Sequence, residues 1–131
     1  MPKRPSPHPT EAETEILGLL WRLGPMTVGE VQEQLTLRRR TGYTTCLKLL
    51  QVMHGKGLVR RDESERAHRY QAAISETRVQ AGVVATLVEQ LFSGSVAQLV
   101  MRAIADTEVS AAERAEIEGL LSAQRKKARK R

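Results

Sequence analysis

The sequence predicts a mainly α-helical chain: an N-terminal winged helix-turn-helix, made of three helices and a β-hairpin, followed by a three-helix dimerisation domain. Two observations predict this fold class. Apolar residues recur at three- and four-residue spacing in six segments, as they do along one face of an α-helix. Between the third and fourth segments, two short stretches flank a charged turn, which is typical of a β-hairpin. The 131 residues suffice for one compact domain or two very small ones.

The first two helices each begin at a capping box, in which a threonine hydroxyl accepts a backbone N–H and a glutamate reaches back to the threonine. Thr10 with Glu13 predicts the start of the first helix, whose apolar stripe ends where residues 24–25, Gly-Pro, forbid continuation. Thr27 with Glu30 predicts the start of a second helix of about two or three turns.

The third helix is predicted from about residue 41 to residue 56, with glycines marking its end. One arc of this helix is apolar and carries Tyr43, Cys46, Leu47, Leu49, Leu50 and Met53. The opposite arc is polar and carries Thr41, Thr44, Thr45, Lys48 and Gln51. DNA recognition requires such a helix, with one face docked on its neighbours and short polar or basic side chains free to enter a major groove. An ordinary solvated helix face is the alternative interpretation.

The hairpin is predicted from residues 58–61 and 68–72, which read as two short strands around the charged segment 62–66. This segment lacks glycine, so we expect a longer tip than a two-residue turn gives. Its three acids, Asp62, Glu63 and Glu65, predict that the tip of the wing does not approach DNA closely.

The second half of the chain is predicted to form three helices, separated by the break at residues 93–95 and by a third capping box at Ser110 and Glu113. Three helices in about 50 residues cannot close a good core alone, so a partner chain is expected to supply the missing surface in a symmetric homodimer. The predicted interface consists of the apolar residues Val83, Leu87, Leu91, Phe92, Leu99, Val100, Ile104, Ile117, Leu120 and Leu121.

The predicted organisation therefore has four parts. A proline-rich disordered arm covers residues 1–9, and the winged-helix DNA-binding domain covers 10–73. The helical dimerisation domain covers 74–122, and a basic tail covers 123–131. We expect this tail to add sequence-independent attraction for an anionic partner.

Net charge points to a nucleic-acid partner only after its position is counted. The chain has 21 basic and 15 acidic residues, a formal charge of +6, but six of the bases fall in the last seven positions. The remainder is neutral overall and polarised: residues 11–33 carry five acids and one base, whereas residues 38–69 carry nine bases and three acids. The informative positive charge therefore surrounds the third helix and the hairpin.

Two basic clusters bracket the polar face of the third helix, one in the turn before it and one on the hairpin, where each would meet the sugar-phosphate backbone. A solvated charge run is the alternative for either cluster alone. The combination predicts DNA binding through Arg38, Arg39, Arg40, Thr41, Thr44, Thr45, Lys48, Arg60, Arg66, His68 and Arg69.

Other functional classes find no support in the sequence. Cys46 is the single cysteine and falls on an apolar arc, which favours a buried, inert thiol and excludes a disulfide framework. The three histidines have no zinc or copper spacing, and no phosphate loop, nucleophile elbow or metal-binding helix motif is present. We therefore predict no metal, no cofactor, no catalytic residue and no enzyme activity. Without a secretory signal or an apolar run long enough to cross a bilayer, the chain is expected to be cytoplasmic, with no membrane partner.

A series of short motifs, in order, resembles the penicillinase repressor family of the BlaI, MecI and CopY kind. The matching stretches lie at residues 10–13, 20–21, 24–28, 43–47, 56–60 and 68–70, so the resemblance runs over roughly residues 10–122. It implies a bacterial homodimeric winged-helix repressor whose third helix reads each half of a palindromic operator in double-stranded DNA. It places Thr44, Thr45 and Lys48 on the recognition surface. It also implies control of β-lactam-response or related stress genes, with an inactivating protease as a further partner.

Two departures from the family pattern concern the inducing signal. The copper-responsive branch has a C-terminal cysteine cluster, whereas this chain has no cysteine after Cys46. The β-lactam-responsive branch is commonly cut at an Asn-Phe bond, which the corresponding residues 99–104 lack. Two other functions stay open as alternatives: a winged-helix module that binds an acidic protein, and a repressor that senses a small molecule between its two halves.

Overall fold

The computed structural model describes residues 8–129, so most of the predicted N-terminal arm and the last two residues of the basic tail lie outside the described residues. The described chain is mainly helical, which confirms the predicted fold class. The helices are α1 Glu11–Leu23, α2 Val28–Thr36, α3 Tyr43–Lys56, α4 Glu76–Leu91, α5 Val96–Ala105 and α6 Ala111–Arg129. The strands are β1 Met26–Thr27, β2 Val59–Asp62 and β3 Arg69–Ala72.

The first two helices begin where the sequence predicts. Thr10 accepts the backbone N–H of Glu13 on its hydroxyl, and the Glu13 carboxylate accepts the backbone N–H of Thr10, so both halves of the capping box form. The same reciprocal pair forms between Thr27 and Glu30. Gly24 ends α1 with a positive φ of 85°, a conformation that glycine adopts without steric cost.

The wing is a three-stranded antiparallel sheet in the order β1-β3-β2. The predicted hairpin is confirmed. Strand β2 lies one residue closer to the tip than predicted, and β3 begins one residue later than predicted and ends at the predicted residue. The two-residue strand β1 was not predicted; it pairs Met26 with Tyr70 and thereby joins the start of α2 to the hairpin. A strand of two residues is too short to show an alternation of apolar and polar residues in the sequence. Its formation depends on pairing with β3, which is distant in sequence.

The core of the winged-helix unit lies between the first three helices and the inner face of the sheet. Its residues come from each of these elements and from the segment that leads into α4: Ile16, Leu17, Leu19, Leu20, Met26, Val28, Val31, Leu35, Cys46, Leu50, Met53, Leu58, Val59, Tyr70, Ile74 and Val79. Trp21 packs against this cluster, and its indole N–H donates to the backbone oxygen of Ile74 at 3.0 Å.

An ion pair within this unit joins the first turn of α1 to the last turn of α3. The Glu13 side chain is 1% exposed, and its Oε2 lies 2.8 Å from Nζ of Lys56, which is 40% exposed. Burial opposes ionisation of Glu13, but the hydrogen bonds from Lys56 and from the Thr10 backbone outweigh it, so the pKa of Glu13 is lowered.

The chain divides into two compact units, the first ending at Thr86 and the second beginning at Leu87. This division falls within α4, whereas the sequence places the domain boundary at residue 73. In the second unit, α5 and α6 contain no buried residue. Helix α6 begins after Ser110, whose hydroxyl accepts the backbone N–H of Glu113, and it continues through the predicted tail to Arg129.

Within residues 8–129, no single helix is both long enough and apolar enough to cross a membrane. Helices α4 and α5 together reach that length and composition, by these criteria alone, as a pair bent at the break between them.

Candidate nucleic-acid interface

Helix α3 docks one face on the core and leaves the other open. Cys46, Leu50 and Met53 are buried, and Leu47 and Leu49 are partly buried. The open face carries Thr44, Thr45, Lys48, Gln51 and Val52, all of which are exposed. The helix therefore presents two hydroxyls, an ammonium group and an amide along its outer side, which are groups that form hydrogen bonds with base edges and phosphates.

Two residues of the predicted helix lie differently from the prediction. Thr41 precedes α3, because the helix begins after Gly42; its hydroxyl donates to the Arg39 carbonyl, and its carbonyl accepts from Gln32. Thr41 thus holds the turn between α2 and α3 and does not lie on the recognition helix. The spacing predicts Tyr43 on the apolar arc, but its side chain is 52% exposed, because the first turn of α3 extends beyond the core.

The first turn of α3 and the wing face the same cleft. This cleft has a volume of about 400 Å³ and is lined by Tyr43 and Leu47 of α3, by the start of α2, and by residues that precede β3. Arg66 and His68 are the two basic residues of its lining. The structure therefore brings these two predicted contacts next to the N-terminal end of α3. From the sequence, their position beside α3 follows only from the general arrangement of a winged-helix fold.

Two of the predicted phosphate contacts are paired with carboxylates of the protein itself. Arg39 Nη2 lies 3.0 Å from Glu15 Oε1 of α1, and Arg69 Nη1 lies 3.1 Å from Glu30 Oε1 of α2. The pKa of Glu30 is lowered, first by the hydrogen bond from the Thr27 backbone and further by Arg69. Both arginines remain partly exposed, so each could exchange its carboxylate for a phosphate.

The other predicted DNA-contacting cations form no ion pairs within the described chain, but Arg38 lies away from the rest. Among residues 8–129, Arg40, Lys48, Arg60 and Arg66 form no ion pair with an acidic side chain. Arg38 also forms none, but it lines a groove beside α1 and α4 together with Trp21. Arg38 therefore lies apart from the cleft beside α3.

The outer face of the wing carries both charges. Arg60 and Arg69 lie on this face, since their cross-strand partners Gln71 and Asp62 alternate with the buried Val59 and Tyr70. At the tip, Asp62 accepts the backbone N–H of Ser64, and this hydrogen bond lowers the pKa of the Asp62 carboxyl. The Asp62 carboxylate thus fixes the backbone turn at the charged tip of the wing.

The thiol and the histidines hold no metal-binding arrangement within the described chain. Cys46 is fully buried, and burial raises the pKa of its thiol. No group of three or more histidine, cysteine, aspartate or glutamate side chains among residues 8–129 is arranged to hold a metal ion.

Comparison with known proteins identifies the family. The family model described as penicillinase repressor matches residues 9–123. The chain belongs to the penicillinase repressor family. Two curated relatives, both named transcriptional regulator BlaI, come from Mycobacterium tuberculosis strains CDC 1551 / Oshkosh and ATCC 25618 / H37Rv. Each is 36% identical over 81 residues, which is 61% of this chain and 59% of the relative. The chain thus spans about three-fifths of the length of the curated relatives it matches.

A similar solved structure is the solution structure of the monomeric form of Bacillus licheniformis BlaI in complex with the blaP half-operator. It has a TM-score of 0.49 and 21% identity, and the match covers 58% of this chain and 92% of that chain. The match to the family model confirms, at the level of the family, the resemblance drawn from the sequence motifs. The family model and the curated relatives carry descriptions of transcriptional regulators, not of enzymes.

This penicillinase repressor family member also exposes most of the apolar residues predicted for a dimer interface. The exposed ones are Val83, Leu91, Val100, Ile104, Leu120 and Leu121, with Val84, Val96 and Met101 beside them. Leu87, Phe92, Leu99 and Ile117 are partly buried. Apart from Val83 and Val84, all of these residues belong to the second unit, which buries little apolar surface of its own.

Proposed function

We propose that this protein is a transcriptional repressor that binds double-stranded operator DNA, with α3 as the recognition helix and the wing on the flanking backbone. The observation that carries the proposal is the exposed polar face of α3 beside a cleft that also contains Arg66 and His68. Family membership supports it, since the curated relatives are named transcriptional regulators. Thr44, Thr45 and Lys48 would contact base edges or phosphates in the major groove.

The proposed backbone contacts are the cations that bracket α3. Arg40, Arg60 and Arg66 are free of ion pairs within the described chain, so they would bind phosphates without losing an internal partner. Arg39 and Arg69 would first have to leave Glu15 and Glu30. The unpaired cations are therefore expected to contribute more to affinity than the paired ones. Arg38 is expected to contribute least, because it lies in the groove beside α1 and α4.

We further propose that the protein acts as a homodimer on a palindromic operator. The support is the exposed apolar surface of the second unit, because stable monomers rarely leave so many large apolar side chains uncovered. In a symmetric dimer, two copies of α3 would enter successive major grooves about 34 Å apart. Each half-site then raises the effective concentration of the other, so loosening the dimer, for example by a protease, would release DNA without changing a base contact.

The regulated genes and the place of action follow as proposals from the family. The family description makes β-lactam-response or related stress genes the first targets to examine by footprinting on promoters next to the gene. A repressor of this kind acts where the DNA is, in the bacterial cytoplasm.

The proposal is tested by selection from a randomised duplex library, followed by anisotropy titration of the recovered duplex. Lys48→Ala is expected to weaken binding by about 1–3 kcal/mol if Lys48 reads a base, which is about 5- to 150-fold. Arg78→Ala removes an exposed cation on α4 and is the matched control, with no expected change. Leu91→Asp should abolish cooperative binding to the full palindrome while leaving half-site binding intact.

Failure of the library to yield a consensus sequence would overturn the repressor proposal. Recovery of an acidic protein partner whose binding does not weaken with salt would then favour the protein-interaction module. A repressor that releases its selected duplex on adding a small molecule would instead favour the ligand-sensing alternative.

A further inference from the structure

The winged-helix unit contains a second open groove, which has an apolar centre and shares no lining residue with the cleft beside α3. The groove lies between α1 and the first half of α4 and has a volume of about 800 Å³. Its lining includes Gly18 and Trp21 of α1 and Val79, Val83 and Val84 of α4. Val84 is 45% exposed. We call this feature the α1–α4 groove.

Two hydrogen bonds show that α1 and α4 run in opposite directions along the groove. Trp21 at the end of α1 donates to Ile74, just before α4, and Thr86 near the middle of α4 bonds to His8, just before α1. The start of α1 and the middle of α4 therefore lie at one end of the groove, and the end of α1 and the start of α4 lie at the other. The acidic end of the groove combines Val84 with two glutamates of the first turns of α1, Glu11 and Glu15.

The other end of the groove is lined by Arg22 of α1 and Glu76 of α4. Arg38 also lines the groove, and Arg39 neutralises Glu15, so Glu11 is the acid at the first end that forms no ion pair within the described chain. An occupant should thus present an apolar centre, a basic end and an acidic end.

Gly18 indicates that a helix can approach α1 closely at this groove. A glycine in the middle of a helix costs roughly 0.5–1 kcal/mol relative to alanine. No described atom beyond its immediate surroundings lies within 4 Å of the position where a Cβ on Gly18 would stand. Packing within the described chain therefore gives no steric reason for glycine at this position, whereas a partner backbone lying on α1 would.

Helix α6 has the pattern that the groove requires. It carries the apolar stripe Ile117, Leu120 and Leu121, of which the two leucines are 68% and 62% exposed. Its first half is acidic on balance, with Glu113, Glu116 and Glu118 against Arg114, and its last turns are basic, with Arg125, Lys126, Lys127 and Arg129. On a helix of 3.6 residues per turn, Arg125 and Lys127 fall on the two sides of the stripe.

We propose that the α1–α4 groove of each chain is the docking site for α6 of a second copy. The basic end of α6 lies against Glu11 and Glu15, and its acidic half points towards Arg22. The inference rests on the homodimer proposed above and deepens it, because the DNA-binding unit itself then supplies half of each contact. By symmetry, each dimer contains two such contacts.

The apolar surface of α4 explains why a second copy is the occupant. Val83 lies in the groove, and Leu87 and Leu91 follow it at four-residue steps on the same helix face. A copy that covers the proposed dimer face at Leu91 therefore lies next to the groove. Leu91, Leu120 and Val84 are all exposed, so each unit has apolar surface that a second copy can cover.

The direct test is a disulfide between two differently substituted full-length chains. One carries Val84→Cys in the groove, and the other carries Gln124→Cys on the stripe side of α6 next to Arg125. After the two are co-refolded and oxidised mildly, we expect the mixed disulfide to form at least tenfold faster than in a matched control. The control pairs Val84→Cys with Ser122→Cys, which lies on the opposite side of α6. Equal rates would overturn the proposal.

A second measurement separates this inference from the homodimer itself. Gly18→Leu fills the groove, and Gly18→Ala adds only the Cβ that a closely packed partner backbone would meet. By sedimentation equilibrium, the first should raise the dimer dissociation constant at least tenfold, and the second should raise it by a smaller factor. A protein that is monomeric at every concentration would overturn both the homodimer and the docking. A dimer unaffected by Gly18→Leu, with mixed disulfide at the control rate, would overturn the docking alone.

One further outcome would identify a different occupant. If a chain that carries both Val84→Cys and Gln124→Cys closes the disulfide within itself at concentrations where the protein is a monomer, its own α6 fills the groove. That result would overturn docking by a second copy. Restoration of the dimer when Glu11→Lys is combined with Arg125→Glu, after either change alone weakens it, would support the proposed direction of α6.

Discussion

Loss of the buried ion pair between Glu13 and Lys56 should destabilise the winged-helix unit in an asymmetric way. In Glu13→Gln, the amide oxygen can still accept the Thr10 backbone N–H, so the capping box survives and only the charged contact of 2.8 Å to Lys56 is lost. A hydrogen bond to a charged group contributes about 1.5–3 kcal/mol. Lys56 is 40% exposed and can turn into water, so we expect the lower part of this range, about 2 kcal/mol.

The change at the other partner should cost more. Lys56→Met leaves the Glu13 carboxylate, which is 1% exposed, without its cation. Breaking a buried pair in this way costs about 3–5 kcal/mol, and partial access of water from the Lys56 side places our expectation at about 3 kcal/mol. The double variant Glu13→Gln with Lys56→Met removes both groups, so its cost should fall short of the sum of the single costs by at least about 1 kcal/mol.

Urea denaturation followed by the fluorescence of Trp21 measures these costs in the unit concerned, because Trp21 is the single tryptophan and packs on its core. With an m-value of about 1–3 kcal/mol/M, a loss of about 2 kcal/mol lowers the midpoint by roughly 1 M. Costs of the two single changes that add without coupling, or a Lys56→Met variant more stable than Glu13→Gln, would refute the reasoning.

Three further results are expected from the structure. The pKa of Glu13 is lowered on folding, so its contribution to stability is present above its unfolded pKa and is lost as pH falls through the folded pKa. The wild-type protein should therefore lose more stability than Glu13→Gln between about pH 5 and 3, as measured by urea midpoints. Gly57→Ala should lower the unfolding free energy in urea by about 1 kcal/mol, since Gly57 ends α3 with φ 81°. Gly55 lies within the helix with open space at its Cβ position, so Gly55→Ala should raise that free energy by about 0.5–1 kcal/mol. Equal effects of the two changes would contradict this reasoning. Cys46 should react with a thiol reagent only after addition of urea, because its thiol is buried; rapid labelling of the native protein would show that the core opens there.

Local signals predicted the helices well because their causes lie within a few residues. Thr10 and Thr27 begin α1 and α2 through hydroxyl groups that bond three residues ahead, so the sequence contains the whole interaction. The periodicity of α3 likewise predicted that Thr44, Thr45 and Lys48 would be exposed.

The failures involve partners distant in sequence. Strand β1 exists because Met26 pairs with Tyr70, and Arg69 is held by Glu30, 39 residues earlier. Tyr43 has the spacing of a core residue, but the core does not extend to the first turn of α3, and no local pattern records where the core ends. The error at Thr41 has a local cause instead: α3 begins after Gly42, which offers no side-chain cap that would mark the helix start in the sequence.

The internal pairing of arginines changes how many cations this protein brings to DNA. Binding to DNA releases condensed counterions, and the logarithm of affinity falls with the logarithm of salt concentration by about 0.9 for each phosphate neutralised. Of the nine bases at residues 38–69, Arg39, Lys56, Arg61 and Arg69 already hold carboxylates of the protein. An arginine that exchanges a carboxylate for a phosphate frees an acid that gathers a cation from solution, so its net release is close to zero. The salt slope of each protomer should therefore reflect at most five charges from this region.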